Sequence, residues 1–265
     1  MKLFACMCNQ PQRLAAALAP VRAALVAQPP ISRWGLGYIQ SGDVLLVRTP
    51  RGTELPVDLA SPLLADIKTD CAIAQAVRDP GTTGSGGGTD NTPPFRFRRW
   101  MFAQTGTPDI DALAPRLLER VPEYLRRNIK GRTAAELVFH VFLARLQDEA
   151  SLEDPNLPVA VQRRALAATL RLISEAAAAA AVGPLALGDL ALTNGRSMLL
   201  ANLGATLRVR RLTVNTERGE RDEAFRGYLL LSGGDGEPRD GFEQVPAHQA
   251  VMITRDLQLS FGDIA

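Results

Sequence analysis

Apolar positions along this chain come in two rhythms, short runs near the ends and long helical stripes in the middle. Residues 2–8, KLFACMC, are apolar almost throughout and predict a short buried strand. An Ala- and Leu-rich stretch predicts a helix from about 11 to 27, kinked or split at Pro20. Residues 35–40 and 43–49 read as the two strands of a hairpin joined at Ser41-Gly42. A short helix over 58–67 and an interior strand over 70–78 follow. Phe95, Phe97, Trp100 and Phe102 read as one strand, which opens after the turn-prone Asn91-Thr92-Pro93-Pro94 and ends on Gln104-Thr105-Gly106. A buried strand running into a polar residue and a glycine is a way to aim backbone N–H groups at a ligand.

The middle of the chain is helical. A helix broken near Pro122 is expected over 108–128. Thr133 and Glu136 form a capping box for the next, which runs to about Glu149. Another is expected over 158–182, ending in Ala176 to Ala181 and stopped by Gly183-Pro184. From Leu185 strands return, at 186–193, 196–202, 205–215, 226–232, 249–254 and 256–261, with a type I′ turn at Asn194-Gly195. Arg208 and Arg210 share one face of their strand, as a solvated sheet edge would. This order does not alternate strand and helix, which disfavours a doubly wound parallel sheet. It fits an α+β fold, two mostly antiparallel sheets face to face with helices outside.

Composition narrows the function more than the fold. The chain has 265 residues, with 30 Lys plus Arg against 28 Asp plus Glu. So balanced a charge argues against a nucleic-acid-binding surface. No apolar run is long enough to span a membrane, and MKLFACMCNQ lacks the apolar core of a signal peptide, so the cytoplasm is the expected compartment. Three cysteines, Cys6, Cys8 and Cys71, do not make a disulfide framework or a zinc site, and no cofactor or metal is expected. The glycine-rich stretch 79–92 lacks the Gly-Lys-Ser/Thr of a phosphate loop and reads as a surface loop or a lid.

The stretch Asn91 to Gly106 resembles the Asn-Thr-His-Pro-Phe … Trp-x-Phe-Ala-His-Asn-Gly segment of class II glutamine amidotransferases. Five further segments match that family in order. Met1-Lys2-Leu3-Phe4-Ala5 matches its start, which puts Met1 where the nucleophilic Cys stands. Ser32-Arg33-Trp34-Gly35-Leu36-Gly37 matches Asp-Gly-Trp-Gly-x-Gly, and Gly131-Arg132-Thr133-Ala134-Ala135-Glu136 matches Gly-x-Thr-Asp-Ser-Glu. Phe242-Glu243-Gln244-Val245-Pro246 matches an aromatic-x-x-Val-Pro motif, while Gln75-Ala76-Val77-Arg78 matches Ala-His-Val-Arg more loosely. The resemblance implies a single domain over 1–265 with the four-layer αββα N-terminal-nucleophile fold. It also implies a substrate pocket whose remnants are Trp34, Gly35, Arg78, Gln104, Ala134 and Glu136.

A pattern of frame kept and chemistry changed recurs along the matched segments. The family's reaction needs a thiol at residue one with a free α-amine as its base. Met1 is a thioether, and Lys2 is too large a second residue for Met1 to be removed. Thr105 replaces the Asn that with Gly106 would build the oxyanion hole, and losing such a donor costs roughly a hundred- to a thousand-fold in rate. Ala134 replaces the Asp that would hold the substrate ammonium. Arg78, the counterpart of the carboxylate-binding Arg, sits beside Asp79 and could pair with it. Cys6 and Cys8 lie inside a strand and read as small buried residues, as does Cys71. The expectation is a binding or regulatory pseudoenzyme whose partner is a protein or a small ligand. Two alternatives stand beside it: an active amidohydrolase with a displaced or processed Cys nucleophile, and a structural subunit acting through self-association.

Overall fold

The computed structural model describes residues 1–78, 88–106, 108–183, 185–204, 206–233 and 241–264. Most of the glycine-rich segment, including Asp79, and most of the polar loop 232–241 lie outside the described residues. The strands are β1 (Lys2–Cys8), β2 (Val26–Ala27), β3 (Arg33–Gln40), β4 (Asp43–Thr49), β5 (Val57–Asp58), β6 (Cys71–Val77), β7 (Phe95–Phe97), β8 (Trp100–Gln104), β9 (Leu190–Thr193), β10 (Met198–Ala201), β11 (Arg208–Arg211), β12 (Gly227–Ser232), β13 (Glu243–Gln244), β14 (Gln249–Ile253) and β15 (Leu259–Asp263). The helices are α1 (Leu14–Leu18), α2 (Ser61–Ala65), α3 (Ala114–Glu119), α4 (Glu123–Arg126), α5 (Ala134–Glu149) and α6 (Val159–Ala179).

Two antiparallel sheets form the middle of the molecule. One has the order β13-β11-β12-β1-β6-β3-β4, the other β15-β14-β10-β9-β8-β7, and β2 pairs with β5 apart from both. Alternation along the strands divides the apolar residues into three layers. Leu3, Ala5 and Met7 of β1 meet Met101, Ala103, Leu200 and Val251 between the sheets. Phe4, Cys6 and Cys8 point the other way, to Leu14 and Leu18 of α1 and Leu63 of α2. On the far side, Phe95, Phe97, Trp100 and Phe102 pack under α3–α6, with Phe102 stacked on Phe139 at 5.3 Å. The arrangement is the αββα sandwich expected. β1 and β6 are buried on both faces, which is why their sequences are apolar runs rather than alternating ones.

Several elements differ from the sequence reading. The aromatic strand is a hairpin: β7 and β8 pair with Phe95 opposite Phe102, and Arg98 takes φ 53° at the turn. Phe95 and Phe97 occupy odd positions, Trp100 and Phe102 even ones, and that change of parity is the trace of the turn. The helix expected over 11–27 is five residues of α1 between two 3₁₀ segments, 11–13 and 19–25. Pro20 lies in the second of these, where its missing N–H removes an i→i−4 bond. Residues 186–189 are loop rather than strand, and β9 starts at Leu190. The 194–197 connection is four residues long, and Asn194 closes it by accepting hydrogen bonds from the Arg196 and Ser197 amides at 2.9 and 3.0 Å. Helix α6 ends before Gly183: Ala181 takes φ 54° and the Val182 amide reaches back to the Ala177 carbonyl at 2.9 Å. The hairpin turn at Ser41-Gly42 (φ 54° and 87°) and the break before α4 at Pro122 lie where expected.

Candidate functional site

Strand registers gather most of the matched segments at one end of the sandwich. Lys2 pairs with Ala76, Trp34 with the same Ala76, Leu3 with Ser232, and Gln104 with Leu190. The start of β1, the end of β6, the start of β3, the end of β8, the start of β9 and the end of β12 therefore lie together. Gln75 links the two sheets at this end. Its Nε2 donates to the Gln104 carbonyl at 2.5 Å and its Oε1 accepts from the Gln104 amide at 3.3 Å. Both glutamines are buried.

Thr105 and Gly106 follow directly, and the 185–189 loop lies against them. The Thr105 amide donates to the Asp189 carbonyl at 2.8 Å. The Thr105 hydroxyl accepts from the Asp189 amide at 2.9 Å and donates to the Asp189 carbonyl at 3.3 Å. Gln104 Nε2 donates to the Leu187 carbonyl. A Cβ on Gly106 would stand 1.9 Å from that carbonyl oxygen, and one on Gly188 would stand 2.2 Å from the Gly106 nitrogen. Gly188 also takes φ +68°, so two glycines are what let these backbones meet.

Asp189 ties this contact to the start of β1. Its carboxylate is fully buried. Oδ1 accepts from the Leu203 and Gly204 amides at 2.9 and 2.6 Å, and Oδ2 accepts from the Thr206 and Ser232 hydroxyls at 2.7 and 2.5 Å. The next residue, Gly233, is close enough to Met1 that a Cβ there would stand 2.2 Å from the Met1 carbonyl oxygen. Met1 is half-buried at this place, and the Lys2 ammonium donates to the Ala24 carbonyl at 2.8 Å. The sequence reading did not single out Asp189, Thr206 or Ser232. The one signal available was an acid next to the apolar run LALT.

The remaining residues are placed as follows. Trp34 packs with the outer-layer core that holds Phe4 and Leu36, while its neighbour Gly35 turns to the Pro93 carbonyl, 2.3 Å from where a Cβ would be. The Arg78 guanidinium donates to the carbonyls of Gln28, Pro29 and Pro30 at 3.4, 3.0 and 3.2 Å. Ala134 is the first residue of α5 and touches the helical-layer core. Thr133 caps that helix through the Glu136 amide at 3.2 Å. The return arm of the capping box is absent, because the Glu136 carboxylate accepts from the Lys130 and Gly131 amides at 2.9 and 2.7 Å instead. Burial raises the Glu136 pKa, and those two amides oppose the rise. Gly131 also lies against Asn91, whose Oδ1 accepts from the Arg132 amide at 2.8 Å.

The thiols lie elsewhere. Cys6 and Cys8 face the outer layer, and Cys71 lies between the sheets with its Sγ 3.3 Å from the Thr193 hydroxyl. Cys8 ends β1, about 20 Å from its start at the usual rise per residue. Burial pushes Cys8 and Cys71 up to about 12 and raises Cys6 as well, so all three are protonated at neutral pH. Among the described residues no three His, Cys, Asp or Glu side chains group as metal ligands. No helix there is long and apolar enough to cross a membrane.

No family model and no curated protein matches the chain. Solved structures do. A glutamine aminotransferase class-II domain protein from Silicibacter pomeroyi aligns over 99% of both chains at 15% identity, with a TM-score of 0.59. A predicted glutamine amidotransferase from Pseudomonas aeruginosa aligns over 98% of this chain and 99% of its own, at 13% identity and a TM-score of 0.52. The glutamine phosphoribosylpyrophosphate amidotransferase of B. subtilis aligns over all of this chain at 10% identity and a TM-score of 0.53, and the chain spans about half of its length. Backbone architecture and alignment over nearly the whole length agree, and the fold of this protein is that of the class II glutamine amidotransferase domains.

Proposed function

We propose that this chain is a glutamine amidotransferase-like protein that has lost glutaminase activity and acts as a cytoplasmic binding or regulatory protein, with 1–265 forming one such domain. The observation that carries the reading is the closure of Thr105 on Asp189. The side chain at the oxyanion-donor position of the resembled family both donates to and accepts from one backbone unit. Its one O–H is given to the Asp189 carbonyl, and that bond would have to break for the hydroxyl to donate to an oxyanion. Three further observations support it. Gly106 lies against the Leu187 carbonyl. The Nε–Nη2 edge of the Arg78 guanidinium is taken by carbonyls of residues 28–30, which closes that fork to a carboxylate. The start of β1 carries a thioether and an ammonium, while every thiol is buried and protonated.

The test is glutamate release from glutamine by the purified protein. The expected rate is that of the buffer alone. Release that is abolished by Cys6→Ser, Cys8→Ser, Cys71→Ser or Thr105→Ala would sink the proposal and restore the reading as an active amidohydrolase.

A further inference from the structure

The open edges of the two sheets are joined by chemistry unlike that of the Thr105 end. β4 is the last strand of the seven-stranded sheet and β7 the last of the six-stranded one. Between them lies a groove of about 420 Å³, lined by Val44, Leu45, Leu46, Arg48, Thr89 and Arg96. That volume is within the range of small-molecule sites. Two guanidinium groups cross it in opposite directions. Arg48 of β4 donates its Nε to the Pro94 carbonyl at 3.2 Å, its Nη1 to the Thr89 carbonyl at 3.2 Å and its Nη2 to Pro94 as well. Arg96 of β7 donates its Nη1 to the Val44 carbonyl at 2.8 Å.

These bonds fix both side chains without neutralising them. Carbonyl oxygens carry no net charge, and among the described residues neither arginine forms a salt bridge. Asp90 and Glu136 act on Arg48 only at a distance. Burial lowers the Arg48 pKa most, the Arg96 charge lowers it further, and the two acids oppose the change. Joining two sheet edges through carbonyls needs N–H donors, and neutral amides would serve without setting two like charges together. A guanidinium has five N–H donors. Arg96 keeps most of its own beyond the Val44 bond, and Arg48 keeps two.

We propose that this groove is a binding site for a small oxyanion, a carboxylate or phosphate on an apolar stem, held between Arg48 and Arg96 with the stem against Val44 and Leu46, which share the Arg48 face of β4. Planar guanidinium groups match both anions through paired hydrogen bonds. An apolar lining with a few fixed polar groups is the usual make-up of a small-ligand site. The lining includes neither Thr105 nor Asp189, although Arg48 pairs with Gly35 at the same end of the sandwich, and its occupancy does not depend on the glutaminase reading.

The experiment is a calorimetric titration of the full chain with inorganic phosphate and, separately, with butanoate, at constant ionic strength. Saturable binding of at least one is expected. It should weaken about tenfold or more in Arg96→Gln and in Arg48→Gln, the scale of one lost charge-assisted hydrogen bond, and less in Arg96→Lys. Arg96 is exposed on an edge strand, so Arg96→Gln should fold, which its circular dichroism would check. Phosphate alone binding supports a phosphorylated ligand, and butanoate alone supports an organic acid. The proposal is overturned if neither anion binds saturably, or if both glutamine variants bind like the parent chain.

Discussion

Asp189 shows how much a single residue can fix. Its four donors come from three places in the chain, the 203–204 turn, Thr206 and Ser232. Asp189→Ala would leave all four without their acceptor. A buried unsatisfied group costs about 1–3 kcal/mol, and the Thr206 and Ser232 hydroxyls, 3.1 Å apart, can partly satisfy each other. The expected loss is about 3 kcal/mol or more in urea denaturation. Asp189→Asn should cost less than half of that. Its oxygen can stay with the two amides while its NH₂ faces the two hydroxyls, which can turn to accept. His140 gives a pH-dependent counterpart. Its ring is buried between Phe97 and Phe139, with Nδ1 2.9 Å from the Glu136 carbonyl. Burial lowers its pKa below the usual 6.5, and the Glu136 bond opposes this. Below that value the unfolded chain takes up a proton that the folded chain refuses, so stability falls as pH drops from about 6.5 toward the folded value. His140→Phe should flatten this part of the stability profile. An unchanged slope would mean that other groups set it.

Elements meet here through glycine contacts that sequence periodicity does not register. The 185–189 loop reaches β8 because Gly106 and Gly188 lack a Cβ. Gly106→Ala would place a methyl 1.9 Å from a backbone oxygen, and neither backbone can yield as a side chain could. Overpacking of this kind costs typically 1–3 kcal/mol. The expected result is a lowered unfolding midpoint with faster proteolysis in 185–189. Helix α5 gives a smaller effect. Thr133→Ala removes its N-cap and should cost about 1 kcal/mol. Glu136→Gln should cost at least as much, because both carboxylate oxygens face backbone N–H groups and an amide would turn its own N–H toward one of them.

Across the whole molecule, the two sheets are held by apolar packing and, at the Thr105 end, by the Gln75–Gln104 pair. Gln75→Ala would free the Gln104 amide and carbonyl in a buried setting. The expected outcome is a loss of about 2 kcal/mol or more and faster hydrogen exchange at Gln104, with the sheets still unfolding together. If exchange there were unchanged, the bridge would carry no weight in joining the layers.

The sandwich was legible in the chain because burial writes itself into composition. Strands buried on both faces, β1 and β6, must be apolar runs, and α5 must carry a wide apolar face whatever the loops do. The resemblance added the order of the segments and the expectation that Met1, Thr105 and Ala134 stand where the family carries its chemistry. The rest depended on backbone meeting backbone. One strand became the β7–β8 hairpin because a left-handed residue at Arg98 turns the chain, and only a shift of parity recorded it. Trp34 and Gly35, adjacent in sequence, face opposite layers because strand side chains alternate. Arg78 was read beside Asp79 and is held by carbonyls from a turn some fifty residues earlier. That Thr105 would close on Asp189, 84 residues away, could not be read from either residue. Long-range hydrogen bonds to backbone leave no periodicity and no motif, so the tertiary structure alone decided which polar groups at the Thr105 end are engaged.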